Sequence, residues 1–308
     1  MNRNLINWML FITLSLIWGS SFILMKFGLQ QLSSYQVAAL RILSAGIILL
    51  PITLKYIGSI PTKKLLIVFL SGSLGSLIPA FLFCIAEEKI DSALAGTLNS
   101  LTPVFVILTG AAFFKNKVPA HKISGIFIAF TGCVLLLFSK TQLQANQHFS
   151  SIIFVILATA FYGFNVNMVS KYLLHIPSLH IASIALTLNA IPALSVLFFT
   201  GYFRLAFNSN AVLGSTAAAI ILGIIGTAIA TIMFYMLVKR AGGIFATTVT
   251  YGIPFVAIGW GIFYQEVFGW LQIFCLVIIL IGVYYTNQNT KKELLKFYKK
   301  KIGRLINK

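Results

Sequence analysis

Long apolar runs separated by short polar segments dominate the pattern of this 308-residue chain. Ten such runs lie at about 7–27, 35–57, 64–86, 91–114, 122–139, 151–172, 179–200, 213–237, 243–264 and 268–287. A helix needs roughly 20 apolar residues to cross the hydrocarbon core of a bilayer, whereas barrel strands have about ten residues of alternating polarity. The pattern therefore predicts an all-α integral membrane protein with ten transmembrane helices.

The charges are few and unevenly distributed along the chain. Charged residues make up 9% of the sequence, against about 25% in soluble domains. The net charge of +18 does not indicate a nucleic-acid partner, because the basic residues lie between apolar runs. With the N-terminus inside, eighteen Lys and Arg residues fall in cytoplasmic segments and three in outer loops. This asymmetry predicts a plasma-membrane protein with both termini in the cytoplasm.

The chain contains an internal repeat. Residues 70–110 align with 221–261 without a gap, and nine of the 41 positions are identical. Residues that shape helices match in this register, namely Gly72 with Gly223, Gly75 with Gly226, and Pro103 with Pro254. The pair Trp18-Gly19 also corresponds to Tyr162-Gly163 in the second half.

The repeat divides the chain into two halves of five spans each. We expect one unit at 1–144 and a second at 145–290, followed by a basic tail at 291–308. An odd number of spans per unit inverts the second unit relative to the first, an architecture of secondary transporters. The tail is predicted to be either an amphipathic helix on anionic cytoplasmic lipid or a disordered terminus.

Several segments resemble a known family. The motifs IWGSSFILMKFGL (17–29), ALRILSAGIILL (39–50), ALAGTLNSLTPVFVILTGAAFF (93–114) and FATTVTYGIPFVAIGWGIFYQE (245–266) resemble EamA-type carriers of the drug/metabolite transporter superfamily. The resemblance implies two inverted five-helix halves around a central cavity, and transport of small metabolites such as amino acids, commonly outward. The family often has Glu after the fourth span, where this chain reads Lys115-Asn116-Lys117.

Polar and aromatic residues at membrane depth are candidates for binding a substrate. An amide without a partner in an apolar medium costs roughly 2–7 kcal/mol, so each must meet another helix, water or a ligand. Bonds between helices are the alternative explanation for each of them. The candidates are Trp18, Ser20, Ser21, Arg41, Asn99, Tyr162, Asn165, Asn167, Tyr251 and Trp260.

Other residues are candidates for gating and for charge at the outer mouth. Paired small residues and prolines in corresponding spans mark close packing, helix breaks or moving faces. These are Gly72, Gly75, Pro103, Gly223, Gly226 and Pro254. Lys26, Glu88 and Glu266 are expected at the outer mouth, near Arg41. Arg41 could bind a substrate carboxylate through its bidentate fork, or extend with Lys26 to the headgroups.

No motif in the sequence indicates a metal, a cofactor or an enzyme. The three cysteines are isolated, the four histidines lie in or near loops, and no acid lies at mid-membrane. Proton relays usually use buried acids or histidines, so we expect exchange or uniport rather than obligatory proton coupling. The sequence predicts a secondary transporter that exports small metabolites by alternating access. The alternatives are a facilitative channel or a lipid or drug translocator, and oligomeric state is left open.

Overall fold

The computed structural model describes residues 3–90, 92–140, 149–256, 259 and 270–288. All regular structure in these ranges is helical. The α-helices are α1 (Arg3–Gly28), α2 (Ser34–Tyr56), α3 (Thr62–Gly72), α4 (Ile78–Glu87), α5 (Ser92–Asn99), α6 (Thr102–Phe114), α7 (Ala120–Lys140), α8 (Phe149–Tyr172), α9 (Ser178–Phe199), α10 (Asn210–Gly223), α11 (Ala230–Ala241), α12 (Gly243–Thr247) and α13 (Trp270–Gln288).

Two π-helical segments interrupt the third and eighth predicted spans. The first π segment (Ser73–Leu77) joins α3 to α4, and the second π segment (Ile224–Ile229) joins α10 to α11. They start 151 residues apart, which is the spacing of the sequence repeat. A π segment widens one turn of a helix and is frequent at functional sites. The repeated glycines therefore mark a repeated helix distortion.

The fourth and ninth predicted spans are also broken at corresponding places. In the fourth, α5 ends at Asn99 and α6 begins at Thr102, with Pro103 in its first turn. In the ninth, a 3₁₀ segment (Thr248–Gly252) follows α12, and Pro254 lies just beyond it. Proline lacks the N–H that an interior turn requires but fits a first turn, so both breaks follow from the sequence.

Six continuous helical stretches within the described ranges are long and apolar enough to cross a membrane. They are Asn4–Gly28, Ser34–Ser59, Thr62–Glu87, Phe149–Tyr172, Ser178–Phe199 and Asn210–Ala241. Four shorter apolar helical stretches lie at Thr102–Phe114, Lys122–Leu135, Gly243–Val256 and Ile273–Thr286. Each predicted span overlaps one of these ten stretches. The number of crossings, the orientation of the termini and the unit boundaries stay predictions.

Corresponding helices of the two halves pack against each other. In the α2–α9 contact, Thr187 Oγ1 lies 2.9 Å from Thr53 Oγ1 and donates to the Gly46 carbonyl at 3.1 Å. In the α7–α13 contact, a Cβ added to Gly132 would lie 3.0 Å from the Cys275 carbonyl oxygen. Small residues allow this approach, which is typical of helix packing in membranes.

Two apolar clusters form the core at different levels of the bundle. One contains Leu14, Val166 and Tyr235 and extends along α1, α8, α9 and α11. The other contains Phe22, Phe83 and further residues of α1, α2, α4 and α8. Trp18 packs against both clusters, so it lies at the level between them.

Candidate functional site

A cavity of about 80 Å³ lies between the two apolar clusters. It is lined by side chains from both halves of the chain. The lining includes Trp18, Ser21, Phe22, Met25, Arg41, Gly75, Ser76, Phe83, Asn99, Thr102, Tyr162, Asn165, Val166, Gly226, Thr227, Thr231, Phe234, Tyr235, Thr247 and Thr250. A cavity with a few converging polar groups in a mainly apolar wall is the usual form of a small-molecule site.

Among the described residues that line this cavity, Arg41 alone is charged. Its Nε donates a hydrogen bond to Thr227 Oγ1 at 2.6 Å, which ties α2 to the second π segment. The position that corresponds to Arg41 in the second half, 144 residues later, is Ala185. The positive charge therefore enters the cavity from one half, and a carboxylate is the ligand group that an arginine fork fits best.

Trp18 also contacts the second π segment. Its indole Nε1 donates to the Gly226 carbonyl at 3.1 Å, and its ring lies 5.2 Å from that of Phe234, centroid to centroid. A carbonyl beside a distorted turn needs a partner where no bulk water is present, and the indole supplies one. The second π segment is thus held by two donors from the first half.

The first π segment is contacted in a corresponding way by the second half. Asn165 of α8 lies against Gly75, where an added Cβ would overlap the Asn165 amide. Ser21 of α1 lies against Gly226, where an added Cβ would be 2.7 Å from Ser21 Oγ. Ser21 and Asn165 are themselves equivalent positions, 144 residues apart. The cavity is therefore bordered by two equivalent contacts, in each of which a helix of one half packs against the π segment of the other half.

Aromatic rings form much of the remaining wall. Phe83 stacks on Tyr162 at a centroid distance of 6.1 Å and meets Phe22 edge-on at 6.0 Å. Tyr235 donates from its hydroxyl to Asn165 Oδ1 at 3.2 Å. This wall offers apolar surface with a few fixed hydrogen-bonding groups, which suits an apolar side chain on a polar small molecule.

Some predicted binding residues lie outside this lining. Asn167 belongs to a network between α6 and α8, in which its Nδ2 donates to Val106 O, Thr109 Oγ1 and Gly163 O at 2.9–3.0 Å. Tyr251 is buried and donates to the Ile126 carbonyl at 3.1 Å. Ser20 lies on α1 and does not border the cavity, whereas Asn99 does. Trp260 falls outside the described residues.

The predicted gating glycines lie at crossings between the halves. Gly75 and Gly226 border the cavity, as described above. Gly72 packs against Ala185 and Asn189 of α9, and Gly223 packs against Arg41 and Ser44 of α2. Of the predicted outer-mouth charges, Lys26 and Glu88 are exposed at the ends of α1 and α4, while Glu266 and the tail 291–308 are outside the described residues.

Sequence reasoning missed several lining residues. Ser76 and Thr227 follow the repeated glycines at the repeat offset of 151, so symmetry could have found them. Phe83 and Phe234 form the identical aromatic pair in the same alignment and both face the cavity. Tyr235 carried no such signal, because its role depends on how α11 is rotated against α8.

The model of the EamA-like transporter family matches residues 6–138 and again 149–288, which together make up most of the chain. The chain belongs to the EamA-like transporter family. It is an EamA transporter with several apolar helices of membrane-spanning length, and its family and relatives are named for transport rather than catalysis.

The relatives of this EamA transporter are distant. An uncharacterized transporter of Archaeoglobus fulgidus is 29% identical over 57% of this chain, and the match spans 61% of that protein. Protein PagO of Salmonella typhimurium is 23% identical over 81% of this chain and 82% of its own. A probable amino-acid metabolite efflux pump of the same organism is 26% identical over 59% of each chain. One crystal structure shares the fold with a TM-score of 0.70, at 15% identity, over 92% of this chain and 98% of that one.

Proposed function

We propose that this transporter carries small metabolites with a carboxylate, namely amino acids and related organic compounds, by alternating access. The observation that carries the proposal is the position of Arg41 in a cavity with aromatic walls between the two halves. Arg41 binds the substrate carboxylate, and Trp18, Tyr162 and Phe83 contact its apolar part. The name of one relative, an amino-acid metabolite efflux pump, agrees with this substrate class.

The crossings around the cavity support alternating access as the mechanism. Each half contacts the π segment of the other half, so a rocking movement of one half changes both crossings together. The apolar clusters on either side of the cavity serve as the two closures. Opening one while the other stays packed exposes the site to one side at a time.

The proposed cellular setting is the plasma membrane with both termini inside and net export. Export then runs down the gradient of a metabolite that accumulates in the cytoplasm. The basic tail lies on anionic lipid of the inner leaflet. No cofactor takes part in this scheme.

Counterflow in proteoliposomes tests the proposed function. The purified protein is reconstituted in vesicles loaded with one unlabelled compound at high concentration, and uptake of the same labelled compound is followed. The panel contains amino acids, organic acids, nucleosides and a lipophilic dye. A carrier for amino acids shows transient accumulation of labelled amino acids, which a channel cannot produce. Counterflow of the dye alone would support the lipid or drug translocator instead.

A further inference from the structure

The carboxyl group of Glu87 is buried at the end of α4. The residue is 7% exposed, and its Oε2 lies 3.4 Å from the Ser92 hydroxyl that donates to it. Its Oε1 has no hydrogen-bond partner among the described residues. Glu88, the next residue, is exposed and accepts a hydrogen bond from the Ser34 backbone N–H at 3.1 Å. The two adjacent carboxyl groups therefore have opposite environments.

Glu87 lies on α4 one helical turn beyond a residue that lines the cavity. Phe83 lies one turn earlier on the same face of α4 and borders the cavity. Arg41 of α2 lines the same cavity as Phe83, and the hydrogen bond from the Ser34 N–H to Glu88 joins the start of α2 to the end of α4. Glu87 therefore lies one helical turn beyond a cavity wall that Phe83 and Arg41 share.

Among the described residues, the other titratable and polar groups around Glu87 are uncharged side chains or exposed ones. Ser92 comes from α5, and the buried Cys84 lies on α4 itself. Tyr162 of α8 stacks on Phe83 one turn away from Glu87. Glu88 and Lys89 are exposed neighbours in the chain. None of these groups supplies Oε1 with a partner within the described ranges.

A buried carboxyl with an unpaired oxygen is stable in its neutral form. An isolated carboxylate in an apolar environment is so unfavourable that the group takes up a proton instead. The ionised form needs a cation or water, and Arg41 is the cation in the cavity wall one turn away. When Glu87 is ionised, its negative charge offsets the positive potential of Arg41 in the cavity. When Glu87 is protonated, that potential is fully available to an anion.

We propose that Glu87 is a proton-binding site linked to substrate binding at Arg41. The inference rests on the proposed function, in which Arg41 binds the substrate carboxylate. Proton binding at Glu87 and carboxylate binding at Arg41 then strengthen each other, and linkage makes the effect reciprocal. Because the two ligands favour each other's binding, this linkage favours carrying proton and substrate across the membrane in the same direction.

Infrared spectroscopy of the full-length protein in lipid tests the proton site without any substrate. Spectra recorded from acidic to alkaline pH are compared for the wild type, Glu87→Gln and Glu88→Gln. We expect a protonated carboxyl band in the wild type and in Glu88→Gln that is missing from Glu87→Gln. Glu87→Asp, which keeps the carboxyl, shifts this band and serves if Glu87→Gln does not fold. Identical spectra for the wild type and both Glu87 variants would overturn the proposal.

Exchange of labelled L-phenylalanine at equal pH on both sides of the vesicle tests the linkage. We expect the apparent affinity of the wild type to fall on the order of tenfold as the pH rises. Glu87→Gln keeps the high affinity of the acidic wild type at every pH, whereas Glu88→Gln keeps the wild-type pH profile. A wild-type affinity that does not depend on pH, or a Glu87→Gln variant with the wild-type profile, overturns the linkage.

The two measurements separate this inference from the proposed function. A carboxyl band that titrates, with no counterflow of any member of the panel, contradicts the proposed function and leaves the proton site standing. Counterflow of amino acids with no such band contradicts the proton site and leaves the carrier standing.

Discussion

At the scale of single residues, Arg41 has two partners in the scheme, the substrate carboxylate and Thr227. We expect Arg41→Ala to lower the apparent affinity for amino acids by roughly tenfold to a hundredfold, because a charge-assisted hydrogen bond contributes about 1.5–3 kcal/mol. Arg41→Lys keeps the charge but loses the bidentate fork. Its affinity for amino acids is therefore expected to lie between those of the wild type and Arg41→Ala. Counterflow kinetics measure these changes, and equal membrane content is the control for insertion.

Thr227→Val is the matched test of how Arg41 is positioned. It removes the oxygen that accepts from Arg41 Nε and keeps the size of the side chain. We expect a smaller loss of affinity than in Arg41→Ala, and no further loss when both changes are combined. Unchanged exchange in Arg41→Ala would remove this residue from the mechanism.

Asn165 and Asn167 are two residues apart but have different environments. Asn165 borders the cavity, whereas Asn167 joins α8 to α6. We expect Asn167→Ala to destabilise the fold by about 1–3 kcal/mol, because it leaves buried groups without partners. Asn165→Ala is expected to impair exchange more than stability. Thermal unfolding in detergent and counterflow together measure this contrast, and an equal stability loss in both variants would contradict it.

This pair also shows what the sequence could and could not predict. Two positions on a helix differ by about 200° in direction, so periodicity alone separates Asn165 from Asn167. Periodicity does not say which of the two faces the cavity, since that depends on how α8 packs against α6 and α11. The burial of Glu87 rather than Glu88 is decided in the same way, by the rotation of α4.

At the scale of helices, the glycines in the two π segments fix how closely the halves approach. A Cβ at Gly226 would lie 2.7 Å from Ser21 Oγ and 3.0 Å from Leu222 Cδ1. We expect Gly226→Ala to cost about 1–3 kcal/mol of stability through overpacking and to slow exchange severalfold. Adding Ser21→Ala removes the hydroxyl in the way and is expected to recover part of both losses.

Gly214→Ala is the control for Gly226→Ala. Gly214 is also in a helix, α10, but no other described part of the chain lies within 4 Å of its added Cβ. Alanine is favoured over glycine in a helix by roughly 0.5–1 kcal/mol, so this variant is expected to be as stable as the wild type or slightly more stable. Thermal unfolding and exchange are measured for all of these variants. A double variant no better than Gly226→Ala alone would show that Ser21 is not the obstacle.

The π segments themselves were not predictable from the sequence. The repeated glycines and prolines indicated distortions in corresponding spans, and the 3₁₀ and broken segments at Pro103 and Pro254 follow from the missing N–H of proline. A π turn has no sequence signal as plain as the missing N–H of proline, and the second π segment is contacted by Trp18 and Arg41 of two other helices. Such partners become visible only when the helices are packed.

At the scale of the whole molecule, the contacts between the halves are reciprocal. The carbonyl of Arg41 lies against Gly223, and the carbonyl of its equivalent Ala185 lies against Gly72, which is the equivalent of Gly223. This exchange of partners is what a twofold relation between two copies produces. The polar groups break the relation, because Arg41 has no charged counterpart. In the proposed function, the symmetric frame opens to either side, and the charge of Arg41, present in one half, selects the ligand.

Whether the two copies are antiparallel across the bilayer is testable with two exposed positions. Ser59 follows the second span of the first half, and Asn208 follows the second span of the other half. If the halves are inverted, Ser59→Cys reacts with an impermeant maleimide only in permeabilised cells, and Asn208→Cys reacts in intact cells. The native Cys84, Cys133 and Cys275 are buried, so the unmodified protein gives the background. Labelling of both variants from the same side would mean parallel copies, and a site between parallel copies could not be exposed alternately by the rocking proposed above.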